Sequence, residues 1–382
     1  MQMNEEPRQF PDLPAALVEE VIRQASTAGD QLIINFRSLR DAREGFRHAL
    51  EGKGVIRHES DLGCPPAPTT CGADGSYAIE RLLGADLTAA AAVAVEGLTP
   101  PSEHRHWDQP HHLSYVEVEK HHEDTTTVLR SLMLGRELQL ASSAPHDVVM
   151  LDGTLTLPLI YFNQALNKAP KTKDLRCSRA FLAGAVSFLE AYRAILVSSR
   201  SDKQYIALPK YSTRREIGLH VGWTGEHDDR GLLTLLLKPG EYTLPLVLQR
   251  PPEPWHLNVR CLAKDNRAKV LGEEIVQALT ASQTLYYKPQ PWLPALRIEM
   301  STSIASNPGR LAIVLQGLKH QCATAAMLEP YPLYLADRTV KALARAIPTF
   351  RQVATQRVSE TYEGDIGDVF LSMHGYRSES GG

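Results

Sequence analysis

The chain has 382 residues, 43% of them hydrophobic, so it can bury a large core in one elaborated domain or in two. Its net charge of −3 excludes a global basic field for nucleic acid, and any DNA contact has to come from a local groove. No run approaches the roughly 20 apolar residues that cross a bilayer, and the polar start is typical of neither a signal peptide nor a transit peptide. Five scattered cysteines without a CxxC pair argue against a zinc site. We therefore predict a cytoplasmic protein with reduced thiols and no membrane contact.

Residues 11–50 are predicted to be helical, because apolar residues such as Leu17, Val21 and Phe36 recur at roughly helical spacing. Four arginines share one face of this segment and form either a solvated face or an edge that follows phosphates: Arg37, Arg40, Arg43 and Arg47. A connector rich in glycine and proline follows. The sequence therefore predicts an N-terminal helical region with its connector over residues 1–68.

A short pattern occurs twice in the first half of the chain: an apolar run, then Asp, Gly and a hydroxyl residue. It ends the predicted first strand at Asp74 and a later buried strand at Asp152. The glycine that follows each Asp allows a sharp turn and the close approach of a ligand. Either copy alone is typical of an ordinary turn. Together, the two carboxylates could converge at one sheet edge and hold a hard cation through oxygen ligands.

Two further strands are predicted between these aspartates, over 87–96 and 113–119. The loop between them, and the residues just after the second strand, are rich in histidine, at His104, His106, His111, His112, His121 and His122. Their spacing matches no standard metal site, so an exposed polar loop is the favoured interpretation.

A helix is predicted from Asp124, as its N-cap, to about Ser142. Glu137 lies at the edge of the apolar stripe of this helix, where a carboxylate is partly desolvated and needs a partner. It is either an ordinary rim residue or, given its place between the two Asp strands, a metal ligand. A strong amphipathic helix over 181–196 and a strand over 204–208 follow, and the strand delivers Lys210 at its end. This alternation implies a parallel crossover.

The second half of the chain is predicted less regularly. A hairpin around Pro239-Gly240 is predicted from 232–237 and 243–248, and a helix over 268–281. In a strand over 296–301, Arg297 and Glu299 share a face, most simply as an ion pair. Two late helices are predicted, over 310–327 and 332–346. The tail from Ser372 is expected to be disordered.

The order of these elements is that of a ribonuclease H-like fold: strands carrying an Asp, a helix bearing Glu, then a strand ending in Asp. We predict an α/β protein with a ribonuclease H-like mixed sheet, flanking helices and an elaborated C-terminal half. In such a fold the carboxylates hold two divalent ions beside a scissile phosphate. Phosphodiester cleavage needs a deprotonated water and a stabilised leaving oxygen, which two metals about 3.5–4 Å apart supply. Carboxylates grouped without metal would repel one another.

Over about residues 70–347 the chain resembles the NurA nucleases. An ordered set of motifs carries the resemblance: Gly72–Ser76, Gly135–Leu138, Leu151–Thr154, the strand ending in Lys210, Arg297–Glu299 and Tyr331–Asp337. The resemblance implies a nuclease domain at 69–350 with a C-terminal extension at 351–382. It implies a DNA nuclease that uses manganese or magnesium, is a homodimer and works with a hexameric HerA-type translocase. Asp74, Glu137 and Asp152 would then be metal ligands, and Lys210 would approach the phosphate or the attacking water.

One position departs from the family pattern, which often has Ala-His where this chain has Ala336-Asp337. Asp337 is expected either to complete the metal site from the late helix, or to mark an altered site in which it only pairs with a neighbouring cation. Two other functions stay open beside the nuclease. A catalytically silent adaptor could dock on a translocase or a DNA end with the same fold. A sugar-kinase-like phosphate-handling protein is disfavoured by the missing glycine-rich phosphate loops.

Overall fold

The computed structural model of the chain describes residues 13–198, 200–223, 227–262 and 266–381. The polar first residues of the chain, which are typical of neither kind of targeting peptide, lie outside the described residues. The chain divides into two compact units, Met1–Gly54 and Val55–Gly382. In the described part of the first unit, helix α1 spans Ala15–Gly52, in agreement with the predicted helical segment. Among the described helices, none combines the length and apolar content that crossing a bilayer would need.

Helix α1 exposes both charged and apolar side chains. Arg37, Arg40 and Arg43 are exposed, as expected of a solvated face. Val21, Ile22 and Phe36 are also more than half exposed. The predicted domain limits at 68 and 350 stay predictions.

The second unit is built on one mixed sheet. Its strands are β1 Ile56–His58, β2 Thr70–Leu82, β3 Asp86–Glu96, β4 His111–Glu119, β5 Val148–Asp152, β6 Gln204–Leu208, β7 Glu241–Thr243, β8 Leu246–Val247, β9 Gln283–Tyr287, β10 Leu296–Met300 and β11 Gly375–Gly381. The main order is β1-β7-β9-β10-β6-β5-β2-β3-β4, while β11 pairs with β2 and β8 with β9. Strand β5 runs parallel to β2 and to β6, and the other pairings are antiparallel. The predicted parallel arrangement of these three strands is therefore present.

Helices cover both faces of this sheet. They are α2 Thr125–Ser143, α3 Leu157–Lys168, α4 Arg176–Leu196, α5 Glu216–Val221, α6 Asp229–Leu236, α7 Asn266–Ala281, α8 Thr302–Ala305, α9 Pro308–Gln321, α10 Tyr331–Thr361 and α11 Ile366–Ser372. On one face, α2, α3, α4 and α7 pack over a core that includes Ala73 and Leu151. On the other face, α9 and the start of α10 cover residues such as Met150. Because side chains alternate along a strand, Asp74 and Asp152 belong to the face that α10 covers.

The first Asp strand does not end at Asp74, contrary to the prediction. Strand β2 pairs with β5 only from Thr70 to Ala73 and then continues to Leu82 against β3. The alanine-rich strand β3 pairs antiparallel with β2 along this whole length, from Cys71 opposite Glu96 to Arg81 opposite Asp86. Asp74 is therefore the first residue at which β2 and β5 part, rather than the last residue of a strand.

Several other predictions were wrong in the second half. Residues 229–236 form helix α6, not a strand of a hairpin, and Asp228 caps it by accepting a hydrogen bond from the Gly231 backbone N at 2.8 Å. The short leucine-rich run fits a strand and a buried helix equally well by periodicity. Strands β7 and β8 do exist, but each pairs with β9. Helix α10 also extends well past its predicted end at 346.

The expected disorder of the tail is corrected as well. Residues Gly375–Gly381 form β11 along Tyr77–Leu82 of β2, on the side that β5 has left. The Ser378 hydroxyl donates to a Glu80 carboxylate oxygen at 2.7 Å. A polar, glycine-containing composition predicts disorder, but an unpaired sheet edge supplies backbone partners for such a segment.

Candidate metal centre

Three carboxylates from distant parts of the chain meet at one point of the sheet. One ligand oxygen each of Asp74, Asp152 and Asp337 lies within 4.8 Å of the others. Asp74 stands where β2 leaves β5, and Asp152 is the last residue of β5. Asp337 comes from α10, the helix that covers this face. The two aspartates predicted to converge therefore do so, at the point where β5 ends and β2 continues rather than at a sheet edge, and Asp337 lies beside them.

Helix α10 reaches the site because β2 has a glycine beneath its first turn. A Cβ on Gly72 would lie 2.6 Å from the Pro332 carbonyl carbon, a distance that no real side chain shows. Asp337 lies less than two turns further along the helix, and its side chain is only 18% exposed. Lys341, one turn beyond, pairs with it at 2.8 Å. The two alternatives stated for Asp337 are thus both visible: it joins the carboxylate cluster and also pairs with a cation.

Glu137 approaches the cluster from the opposite face of the sheet. It projects from α2 and is 5% exposed. A Cβ on Gly75 would lie 3.3 Å from Glu137 Oε2 and 2.8 Å from Met133 Cγ, so the glycine makes room for this carboxylate. The predicted reason for the glycine after Asp74, a turn, is wrong, because Gly75 continues the strand. At Gly153 the turn is real, with φ at +96°.

The helix that carries Glu137 begins where the sequence predicts it, but its capping differs. Asp124 occupies the N-cap position without accepting a side-chain hydrogen bond from the helix. Its carboxylate binds Lys168 Nζ instead, at 2.6 Å. The backbone of Asp124 is close to helical, which turns the side chain away from the free N–H groups of the first turn.

Lys210 is a cation within reach of three carboxylates of this site. Its Nζ lies 2.8 Å from Asp152, 3.0 Å from Glu329 and 3.5 Å from Asp337. Burial alone would lower the pKa of Lys210, but the contacts with Asp152 and Glu329 outweigh burial and raise it. The ammonium group therefore stays protonated at neutral pH, which suits a charge-neutralising donor and not a general base.

Glu329 is the carboxylate that sequence reasoning missed. It lies in the loop just before α10, and burial raises its pKa although Lys210 opposes this. Its neighbours Pro330 and Tyr331 mark a helix start in the sequence, but no local pattern links Glu329 to Lys210. Only the folding of α10 onto β2 brings the two together.

Mutual repulsion shapes the protonation of the cluster. Burial, followed by the charge of Asp152, raises the pKa of Asp74 to about 7, even though the Gly75 backbone N donates to its carboxylate at 2.8 Å. Burial, with Asp74 and Asp152 nearby, also raises the pKa of Glu137 well above its usual range. Carboxylates in this situation gain stability from a bound cation, which removes both the repulsion and the desolvation penalty.

The donor set fits a hard divalent ion. Magnesium and manganese prefer oxygen ligands in proteins, and carboxylate oxygens are offered here by Asp74, Asp152, Glu137 and Asp337. Glu137 is buried and forms no ion pair with a described residue. The histidine-rich stretches contribute nothing to this cluster: Asp74, Asp152 and Asp337 form the one metal-compatible group found within the described residues. His104, His106, His111 and His112 are all exposed, as expected of an exposed polar segment.

A buried ion network holds the turn that follows Asp152. Glu299 Oε2 accepts hydrogen bonds from Thr154 Oγ1 at 2.6 Å and from the Leu155 backbone N at 2.9 Å. Its other oxygen accepts from Arg297 Nε at 2.9 Å, so the predicted Arg297–Glu299 ion pair is confirmed. Arg297 also donates to both oxygens of Glu216, at 2.7 and 2.9 Å. The orientation of Asp152 is thus tied through its loop to a fully buried network.

Comparison with solved structures identifies the fold. The chain is similar to the NurA nuclease from Sulfolobus solfataricus, with 13% identity over 92% of this chain and 99% of that one, at a TM-score of 0.59. A NurA structure with manganese matches with 14% identity over 88% and 99% of the two chains, at 0.54. A further NurA structure matches with 13% identity over 94% and 100%, at 0.54. No family model and no curated protein matches. The chain has the fold of NurA, and the predicted ribonuclease H-like α/β class is confirmed.

Proposed function

We propose that this protein is a divalent-metal-dependent deoxyribonuclease that cleaves phosphodiester bonds by a two-metal mechanism. The observation that carries the proposal is the convergence of Asp74, Asp152 and Asp337, with Glu137 behind them, in a chain with the NurA fold. A structural ion-pair network would balance these charges with arginine or lysine. Here Lys210 and Lys341 are the cations paired with the cluster among the described residues, and Glu137 is left without one.

The side chains would divide the work between binding and charge control. Asp74, Asp152, Glu137 and Asp337 would hold Mn²⁺ or Mg²⁺. When bound, such ions stabilise the charge on the attacking and leaving oxygens of a phosphodiester. Lys210, protonated and held by Asp152 and Asp337, would hydrogen-bond a phosphate oxygen and neutralise part of its charge. The repulsion within the cluster keeps the metal-free site ready to take up cations.

The proposal includes the partners implied by the resemblance: DNA, a second copy of the chain and a hexameric HerA-type ATPase. The exposed apolar side chains of α1, among them Ile22 and Phe36, are a candidate contact surface, because such surface is costly to leave in water. Light scattering of the protein, alone and with a candidate ATPase, tests this part. A monomer at micromolar concentration under both conditions would contradict it.

A nuclease assay tests the proposal. End-labelled single- and double-stranded DNA is incubated with the protein in Mn²⁺, in Mg²⁺ and in EDTA. We expect cleavage with metal and none in EDTA. Asp74→Asn is expected to abolish cleavage while leaving the metal-free protein no less stable, because it removes a repelling charge. Asp202→Asn, which removes an exposed carboxylate paired with Arg200 near the other end of β6, is the control and should cleave as wild type does.

The assay also separates the enzyme from the catalytically silent adaptor. An adaptor would bind DNA or the ATPase and cleave nothing under any metal condition. Metal-dependent cleavage that persists unchanged in Asp74→Asn would show that a contaminant or another site is responsible, and would contradict the proposed site.

A further inference from the structure

A cleft opens directly beside the carboxylate cluster. Its volume is about 230 Å³, and it shares Lys210 and Glu329 with the cluster. Apolar side chains, including Leu296, Leu328 and Leu333, form much of its walls. Pockets for drug-sized molecules span about 300–1,000 Å³, so this cleft has room for one small ring system and not for a folded segment.

A highly exposed aromatic ring stands at this cleft. Tyr211, the residue after Lys210, lines the cleft and is 93% exposed. It forms no hydrogen bond or ring contact with the residues that the structure describes. The tyrosines of β9 differ, since Tyr286 and Tyr287 are fully buried and hydrogen-bonded. An exposed ring one residue from a phosphate-directed lysine is suited to stacking on a nucleobase.

The cleft also holds a cation, Arg230, that forms no ion pair with a described residue. Arg230 is half-buried, and its Nε donates to the Ala295 carbonyl oxygen at 3.2 Å. Within the described parts of the chain it forms no ion pair, whereas Arg297 in the same cleft is paired with two glutamates. Burial lowers the pKa of Arg230, because the charged guanidinium is partly removed from water. The free end of the guanidinium can bind a phosphate through two parallel hydrogen bonds.

We propose that this cleft binds the nucleotide next to the scissile phosphate, with its base stacked on Tyr211 and its own phosphate on Arg230. The inference rests on the proposed function and names the form of its substrate. A base can lie flat on Tyr211 only after it has left the duplex stack. The preferred substrate is therefore a strand with at least one unpaired nucleotide at the site of cleavage, such as single-stranded DNA or a duplex with a single-stranded end.

Binding measurements on the full chain test the proposal. The dissociation constant of a fluorescent single-stranded oligodeoxynucleotide is measured by anisotropy, in Ca²⁺ and in EDTA, beside a blunt duplex of the same sequence. A 2-aminopurine base in the strand reports stacking by its fluorescence. Tyr211→Ala is compared with Tyr211→Phe, which keeps the ring. Tyr376→Ala is the matched control, because Tyr376 is 82% exposed on β11 and does not line the cleft.

We expect Tyr211→Ala to weaken single-strand binding roughly 5- to 100-fold, to abolish the 2-aminopurine signal and to remove the preference over the blunt duplex. Tyr211→Phe and Tyr376→Ala should bind as wild type does. Arg230→Gln should weaken binding. It should also reduce the slope of the logarithm of the binding constant against the logarithm of the salt concentration by about 1, because one phosphate contact is lost.

The proposal is overturned if wild type binds no single strand, if Tyr211→Ala binds as wild type does, or if Tyr376→Ala loses as much affinity. Its failure can be told apart from failure of the proposed function. If wild type cleaves DNA but its binding does not depend on Tyr211, the proposed nucleotide cleft is rejected and the proposed nuclease activity is kept. Binding that depends on Tyr211, without cleavage in any metal, would remove the nuclease and leave the nucleotide cleft.

Discussion

Replacing Glu299 by glutamine tests whether the buried ion network controls the metal centre. Glutamine keeps one oxygen and turns the other into an NH2 group. If the oxygen faces Arg297, the NH2 group meets the Leu155 N–H, which cannot accept a hydrogen bond. If the oxygen faces the turn, the NH2 group meets Arg297 Nε. Either orientation leaves a buried donor unpaired in place of a bond now 2.9 Å long.

The expected cost follows from these contacts. A buried hydrogen bond to a charged group contributes about 1.5–3 kcal/mol, and Arg297 also loses one of its two balancing charges, so we expect a loss of about 2–4 kcal/mol in the free energy of unfolding. Native domains have about 5–15 kcal/mol, so the variant remains folded. Loosening the turn after Asp152 should raise the metal concentration for half-maximal cleavage about 10-fold, the lower end for residues that support metal ligands.

Urea unfolding measures the change in the free energy of unfolding. The cleavage rate as a function of Mn²⁺ concentration gives the concentration for half-maximal cleavage. Glu216→Gln is the matched control: it removes a buried carboxylate from the same Arg297 but does not touch the turn after Asp152. It should lose comparable stability and keep the wild-type metal dependence within about twofold. If Glu299→Gln loses stability while its metal dependence stays that of wild type, Glu299 supports only the fold, and the argument that it orients Asp152 is refuted.

Three further predictions concern single residues. Asp337→Ala should cut the cleavage rate sharply and Asp337→His should shift the preference towards manganese, because imidazole favours transition metals; a metal titration with a wild-type profile for Asp337→Ala would leave only its ion pair. Gly75→Ala should cost about 1–3 kcal/mol and slow cleavage by displacing Glu137, whereas Gly45→Ala, whose Cβ meets nothing within 4 Å, should not destabilise. Burial lowers the pKa of His146 to about 4, so below about pH 6.5 the unfolded chain takes up a proton that the native state refuses. The stability present above pH 6.5 is therefore lost as the pH falls towards 4, by up to about 3 kcal/mol; His146→Gln should flatten this slope in urea titrations, and an unchanged slope would contradict it.

Local sequence determined much of the sheet and part of the site. The apolar run before Asp152, the alternation in β4 and the periodicity of α4 specify their own elements, because each repeat matches the geometry of one element. The two Asp-Gly patterns also predicted that Asp74 and Asp152 meet, which is correct, although the reason differs: β5 ends at Asp152, whereas β2 continues past Asp74 to Leu82. A short apolar run such as 232–237 fits both a strand and a helix, and its pattern led to the wrong prediction of a strand.

The tertiary structure alone decided which other side chains complete the site. Asp337 and Glu329 join it because α10 packs on Gly72, a contact across more than 250 residues that leaves no local periodicity. The network from Glu216 through Arg297 to Glu299 likewise depends on a helix and a strand that meet only after folding. Strand β11 pairs with β2 only because β5 parts from it after Ala73 and leaves an open edge. Sequence patterns encode the geometry of one element at a time, whereas these contacts depend on how the elements pack together.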